Sequence, residues 1–400
     1  MQAAQGKGKR MRGVHEMRVY MDNGATTVVA PEVAKEIQDY MTKKYGNASS
    51  LHSFGEEANE ALERAREIIA KKLNAEPDEI IFTSGGTESD NLAIKGAAYA
   101  SNKKHIITTK IEHPAVLNAC ETLQREGYKI TYLKVDREGF INLNELENAI
   151  TDDTAVVSVI HANNEIGTVQ DIEKIGEICK KKGVVFHTDA VQSFTKVAID
   201  VKKINVDLIS ISSHKIHGPK GIGALYVRKG TKIRKLMDGG PHEKNLRAGT
   251  ENVSGAVGFA KAVELTNEKQ IKNMERLRDK LIGGILKQVP ETMLNGSKTK
   301  RLCNNANITF KKIEGESLLL LLNEKGIAVS TGSACSSKSL EPSHVLLAIG
   351  LKHEEAHGSI RFTISRYTTQ KEIDYAIKEA KEAAKKLRQI SPLWRKNAIQ

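Results

Sequence analysis

Two ionisable residues stand where predicted strands give way to loops. The apolar run Val184-Val185-Phe186 ends in His187-Thr188-Asp189-Ala190-Val191-Gln192. The run Leu208-Ile209-Ser210 continues through Ile211-Ser212-Ser213-His214 to Lys215. A third run, Ile80-Ile81-Phe82-Thr83, passes into Ser84-Gly85-Gly86-Thr87-Glu88, which opens a predicted helix. Small residues at a helix N-terminus let backbone N–H groups close on an anion, and Thr87 adds a hydroxyl, so this stretch suits a phosphate. Taken singly, the three features read as a surface lysine, a helix cap and a glycine turn. Taken in order along one chain they supply an amine, an acid and a phosphate cup, each at a strand end where α/β sheets collect ligands.

Pyridoxal phosphate calls for that set. Its aldehyde forms a Schiff base with a lysine, and an acid keeps its ring nitrogen protonated as an electron sink. Two more strand ends add to the pattern. Residues 105–109 lead to Glu112-His113-Pro114, which sets an imidazole where it can stack on a ring. Residues 155–160 lead to His161-Ala162-Asn163-Asn164-Glu165-Ile166-Gly167, where an amide can bond a ring hydroxyl or a substrate. Cys335 lies among Gly332, Ser333, Ala334, Ser336 and Ser337, a small and pliable loop with nothing to anchor it in a core. Such a loop suits a sulfur that must visit a cofactor and then an acceptor. Cys120 and Cys179 fall on apolar faces of predicted helices and read as packed, and Cys303 gives no signal. Four cysteines without C-x-x-C spacing do not make a disulfide framework or a zinc finger, and they suit a reducing cytosol.

These residues need a frame. Strand-like segments at 79–83, 105–109, 129–135, 155–161, 184–188, 207–212 and 223–227 alternate with helical patterns such as 56–73, 88–100, 114–126 and 172–182. The succession predicts an α/β domain with a mostly parallel seven-stranded sheet covered on both faces, whose last two strands are joined too tightly to be parallel. After residue 256 a long charged helix over 257–287 leads to short strands near 307–310, 327–330 and 359–363 and a terminal helix over 370–388. We therefore expect a large domain over 18–256 and a smaller α+β domain over 257–400, with the N-terminal segment packing on either one. Residues 1–17 read as a disordered basic extension, with an organelle-targeting leader as the alternative. The formal net charge of +12 admits acidic partners, but basic and acidic residues interleave along the helices, as in Glu60 to Glu67. That is the pattern of a solvated face, so no direct nucleic-acid role is expected. No apolar stretch is long enough for a membrane span.

With these residues in place, the chain resembles the cysteine desulfurases of the fold-type I pyridoxal-phosphate enzymes, in the class-V aminotransferase family, and specifically the group serving iron–sulfur cluster assembly. The resemblance runs from about Val19 to Trp394. It rests on Met21-Asp22-Asn23-Gly24-Ala25-Thr26-Thr27, on residues 45–52, 83–91, 112–114, 161–167, 187–192 and 212–215, and on Leu246-Arg247-Ala248-Gly249-Thr250. Its most diagnostic stretch is Ser330-Thr331-Gly332-Ser333-Ala334-Cys335-Ser336-Ser337.

The resemblance implies pyridoxal phosphate as cofactor and L-cysteine as substrate. Lys215 would be the Schiff-base lysine and proton-transfer base, Asp189 the ring-nitrogen partner and His113 the stacking imidazole. Gln192 and Asn164 would lie near the ring oxygen, and Gly86, Thr87, Ser212 and His214 would hold the phosphate. Thr250 would reach the phosphate of a second subunit, which implies a homodimer with composite sites. Arg361 would hold the substrate carboxylate, with Asn164 beside it. Cys335 would take the sulfur as a persulfide and pass it to an iron–sulfur scaffold, with tRNA-thiolation proteins as a second class of acceptor. No intrinsic metal site is implied, and Cys335 is the one candidate for transient ligation of a cluster with a scaffold. The expected compartment is the cytoplasm, an organellar matrix being the alternative. Ser391-Pro392-Leu393-Trp394 reads either as a docking tail or as a segment folded on its own domain. Gly24, His217, residues 238–242 and His344 depart from the family's usual pattern, and none of them removes a catalytic group.

Overall fold

The computed structural model describes residues 17–332 and 341–390. All of the extension over 1–17 except Met17, together with Cys335 and the tail from Ser391, lies outside the described residues. In chain order the strands are β1 (Val19–Tyr20), β2 (Ile80–Thr83), β3 (His105–Thr109), β4 (Lys129–Leu133), β5 (Thr154–Ser158) and β6 (Val185–Asp189). They continue with β7 (Leu208–Ser212), β8 (Gly223–Val227), β9 (Thr292–Asn295), β10 (Asn305–Phe310), β11 (Ile327–Ala328) and β12 (Ser359–Thr363).

Seven of them form one sheet in the order β2-β8-β7-β6-β5-β3-β4. Strand β8 is antiparallel to both β2 and β7, and the other pairs are parallel. Successive residues of a strand point to opposite faces. Ile107, Ile209, Ala224 and Tyr226 accordingly join the core on one face, while Ile106, Leu208 and Leu225 join the core on the other. Both faces are dry, which is why the strands are apolar runs rather than alternating ones. Cys179 and Cys120 are packed in these two cores, as their helical positions predict.

The reversal of β8 has a consequence at the sheet edge. Strands β2 and β7 flank it and point the same way, so the exit of β2 toward Gly86 and the exit of β7 toward Lys215 emerge together. Gly223 sits opposite Thr83 on one side and Ser212 on the other. A side chain at Gly223 would lie 2.8 Å from the Gly85 backbone, so glycine here lets the two exits close up.

A second core gathers around the three-stranded sheet β12-β10-β9 and the helices Glu268–Gln288, Gly315–Glu324 and Gln370–Ile390. The N-terminal segment joins it. β1 pairs with β11, and Val19 and Met21 are buried among its residues. The chain then crosses to the large sheet, where helix Pro31–Thr42 packs on helix Val253–Glu264. Ala256, Phe259 and Val263 belong to the large sheet's core, which therefore runs past residue 256. The single helix expected over 257–287 is two helices, Val253–Glu264 and Glu268–Gln288. Asn267 accepts the Gln270 N–H at 3.0 Å and Gln270 accepts the Asn267 N–H at 3.3 Å, a reciprocal cap that starts a new helix despite the unbroken charge pattern. Among the described residues no helix is long and apolar enough to cross a membrane.

One buried ion pair holds the approach to Thr250. Arg66 donates to both carboxylate oxygens of Glu243 at 2.8 and 3.0 Å, and Glu243 also accepts the Phe82 N–H at 2.7 Å. Glu243, Lys244 and Asn245 take φ values of 44, 58 and 63, three successive left-handed residues that cost about 1–2 kcal/mol each. Replacing Arg66 by Met strands a buried carboxylate, and the expected loss is about 3–5 kcal/mol, read as a lower urea midpoint. Adding Glu243→Gln to Arg66→Met keeps the Phe82 acceptor, removes the orphaned charge and is expected to recover most of that loss.

Candidate active site

Beside the carboxyl ends of β2, β6 and β7 lies a cavity of about 220 Å³. Gly86, Thr87, His113, Asn164, Asp189, Gln192, Ser212, His214, Lys215 and Arg361, the predicted site residues of six separate stretches, all line it. Thr250 is exposed and does not line it. Cys335 lies outside the described residues, although Gly332 and Glu341 on either side of its stretch are described.

The phosphate end is built from two strand exits. Gly85 takes φ +153, a conformation open to glycine, and helix Gly86–Tyr99 then starts with its free N–H groups toward the cavity. A Cβ on Gly86 would fall 2.6 Å from Val191 Cγ2, so a larger residue would close this cradle. The Ser212 hydroxyl is buried without a hydrogen-bond partner among the described residues. A buried unpaired hydroxyl beside a helix N-terminus and a glycine cradle fits a phosphate group.

Asp189 ends β6, is buried, and accepts the Val191 N–H at 2.8 Å. Burial pushes its carboxyl up to about 6, against the pull of the Val191 N–H and the Lys215 charge. A buried acid facing a protonated ring nitrogen would regain its charge through that partner. Lys215 stands in the turn after β7, and its Nζ donates to the Gly24 and Ala25 carbonyls at 2.6 and 2.8 Å. Gln192 Nε2 donates to the same Gly24 oxygen at 2.9 Å.

His113 caps helix Pro114–Arg125. Its Nδ1 accepts the Ala115 N–H at 3.1 Å, which leaves the proton of the neutral ring on Nε2. Burial, with the charges of Lys215 and His344, takes its pKa down to about 4. His344, one of the departures from the family pattern, holds the Glu112 carbonyl at 3.0 Å and so braces the residue before His113. His217 holds the Val28 carbonyl at 2.9 Å through Nδ1.

Arg361 lies on β12, 1% exposed. Its Nη1 donates to the Asn164 carbonyl at 3.1 Å and its Nη2 to Asp22 at 2.8 Å, while Nε is buried without a partner among the described residues. Gly24 packs on this guanidinium, since a Cβ there would lie 3.3 Å from Cζ. Its divergence from the usual residue thus has a local steric setting.

Asp90 and Asp22 also belong to the site, and neither carries a role predicted from the sequence. Asp90 lines the floor of the cavity, three residues after Thr87 and so on the same helix face. That spacing is the signal that finds it. Burial and the neighbouring Asp189 charge hold its carboxyl well above the usual range. His187 Nε2 lies 3.6 Å from Asp90 Oδ1, but burial takes His187 down to about 3, so the ring is neutral and the contact is not an ion pair. Asp22 stands within the 21–27 motif, with no periodicity to single it out.

The aminotransferase class-V family matches residues 19–376. The chain belongs to that family, whose members work through pyridoxal phosphate. Within it the chain groups with proteins named cysteine desulfurase. Cysteine desulfurase IscS of Clostridium botulinum is 53% identical over 384 residues, covering 94% of this chain and 97% of that protein. A solved NifS-like protein has 42% identity and a TM-score of 0.87, covering 93% of this chain and 100% of that one. The solved structure of SspA in complex with cysteine has 40% identity and a TM-score of 0.79, covering 88% of this chain and 100% of that one.

Burial gives the folded protein a definite response to acid. His113, His161, His187, His214 and His217 have pKa values lowered to about 4, 4, 3, 4 and 4 from an ordinary 6.5. The unfolded chain takes up these protons below 6.5 and the folded chain does not. Stability tied to them is complete above 6.5 and drains as pH falls toward 4. Asp189, Asp90 and Glu112, whose pKa values burial raises, act in the opposite sense because the folded state binds the extra protons. Burial lowers His105 and raises Asp207 as well, so six histidines stand against four carboxyls among the described residues. The cofactor-free protein is therefore expected to melt at a lower temperature at pH 5 than at pH 6.5, and a level or rising midpoint would contradict these burial effects.

Proposed function

We propose that the chain takes sulfur from L-cysteine and places it on Cys335, with Lys215 carrying the cofactor and acting as the proton-transfer base. The observation that carries the reading is the shared cavity. An amine, a buried acid, a phosphate cradle, a neutral imidazole, a guanidinium and the Asn164 amide meet there from six stretches of sequence. The reaction class follows from the family and its near relatives, whose names specify desulfuration of cysteine.

Gly86, Thr87, Ser212 and His214 would hold the cofactor phosphate, Asp189 its ring nitrogen and His113 its ring face, with Gln192 and Asn164 near its ring oxygen. Once bound, the cofactor supplies an electron sink conjugated to the substrate Cα. Arg361 orients the substrate carboxylate, for which a planar fork of N–H donors is suited. The Lys215 amine accepts the Cα proton. The Cys335 thiolate then attacks the substrate sulfur. An S–S bond forms and the Cβ–S bond breaks, its electron pair staying with the three-carbon fragment, which takes up protons and leaves as L-alanine. The product on the enzyme is a Cys335 persulfide. Neutral His113, with its proton on Nε2, is placed to move a proton in this step.

Both described ends of the Cys335 stretch support that role. Ser330 and Arg361 exchange backbone hydrogen bonds at 2.7 and 3.2 Å. On the other side the Ser343 hydroxyl donates to Glu165 at 2.5 Å, next to Asn164. We further propose a homodimer in which Thr250 serves the partner's phosphate, an iron–sulfur scaffold and tRNA-thiolation proteins as acceptors, and a cytoplasmic setting. The exposure of Thr250 away from its own cavity supports the composite site.

Cys335→Ala is expected to retain the visible absorbance of bound cofactor while sulfide release from cysteine with a reductant falls below about one hundredth of wild type. Release at the wild-type rate would transfer the nucleophile role elsewhere and favour another reaction of the same fold, such as transamination.

A further inference from the structure

Arg361 already holds a carboxylate. Its Nη2 lies 2.8 Å from Asp22 Oδ1, and Arg361 is 1% exposed whereas the Asp22 side chain is 20% exposed. The aspartate is firmly placed. The Thr363 N–H donates to the Met21 carbonyl at 2.7 Å, the Met21 N–H to the Ala328 carbonyl at 2.8 Å, and the Gly24 N–H to Thr363 Oγ1 at 2.7 Å. Asp22 is thus tied on both sides to β11 and to the strand that carries Arg361. Its acceptor reaches one N–H of the fork, while Nε has no partner among the described residues.

We infer that Asp22 is a built-in competitor for the substrate carboxylate, neutralising Arg361 in the empty site and setting how tightly an amino acid's carboxylate is held. This rests on the assignment of Arg361 to that carboxylate. A desolvated guanidinium without a counter-charge is unstable, so the empty site needs an anion. When the substrate arrives, two carboxylates share one cation, and their mutual repulsion loosens the substrate. The substrate carboxylate then shares the guanidinium with Asp22, which remains beside Nη2 as a like charge. Asp22 therefore favours release over retention, and it also penalises any ligand that brings a second negative group near the first.

Asp22→Asn keeps an oxygen acceptor for Nη2 and removes the charge, whereas Asp22→Ala removes both. In the cofactor-loaded enzyme, Asp22→Asn is expected to lower KM for L-cysteine on the order of tenfold through lost repulsion. It is also expected to tighten inhibition by 3-mercaptopropionate, which carries the carboxylate and thiol but no amine, by a similar factor. Asp22→Ala frees the guanidinium to move and is expected to raise both constants. Asp22→Ser, a second uncharged acceptor, is expected to follow Asp22→Asn in direction. If Asp22→Asn and Asp22→Ser weaken both ligands as Asp22→Ala does, or leave them unchanged, Asp22 is only a strut and the inference fails. Arg361→Gln separates the two levels: an unchanged KM there removes the carboxylate assignment itself, while a raised KM with a null effect at Asp22 removes only the competitor.

Discussion

The site depends on keeping Lys215, Asp189 and Arg361 out of bulk water in one cavity. A desolvated charge is tolerated only where the fold supplies a counter-charge or hydrogen bonds. One short stretch near the N-terminus does most of this. Gly24 and Ala25 give their carbonyls to Lys215 Nζ, and Asp22 gives its carboxylate to Arg361. Two residues on, the Thr27 N–H and hydroxyl both donate to the His214 carbonyl at 3.0 and 2.9 Å, and the Thr27 hydroxyl oxygen accepts the His217 N–H at 2.8 Å. The same stretch is bonded to β11 and β12 of the smaller sheets. Residues 21–27 therefore join the turn that carries the lysine to the strand that carries the arginine, through hydrogen bonds to both.

The sheet supplies the other half of the geometry. Parallel strands place their exits on one edge, and the single reversed strand β8 lets β2 contribute its exit to that edge as well. Gly223 and Gly86 then decide how close the exits come, because a Cβ at either position would meet backbone or Val191. The same burial that makes the strands apolar also fixes protonation. His113 and His214 are neutral at pH 7, so among the described residues the basic side chains left to line the cavity as cations are Lys215 and Arg361. Burial raises the Asp189, Asp90 and Glu112 carboxyls, and of these three only Asp189 is also pulled down by the Lys215 charge, so a cationic ring beside it would favour its ionised form further.

Much of this was legible in the sequence for a physical reason. Strand exits in α/β sheets carry their signal locally, as an apolar run followed by glycine, hydroxyl or charge, and Lys215, Asp189, His113 and Gly86-Thr87 all have that form. Arg361 and Thr250 were readable only by resemblance, because a residue inside a short strand or an irregular loop has no local mark of function. The break at 265–267 was missed since an amphipathic charge pattern continues across it, and only the Asn267–Gln270 reciprocal bonds reveal the new start. Asp22 was quoted within a motif without a role, because its partner lies 339 residues away. Asp90 was missed although its spacing from Thr87 placed it on the cavity face.

The central claim is that Lys215, and no other lysine of this crowded basic chain, carries the cofactor. Borohydride reduction of the cofactor-loaded protein, followed by digestion and mass spectrometry, fixes the attachment point directly. The account predicts a pyridoxyl group on the peptide containing Lys215. A pyridoxyl group on Lys196 or Lys220 instead, or no covalent adduct in a protein that binds the cofactor, would contradict it.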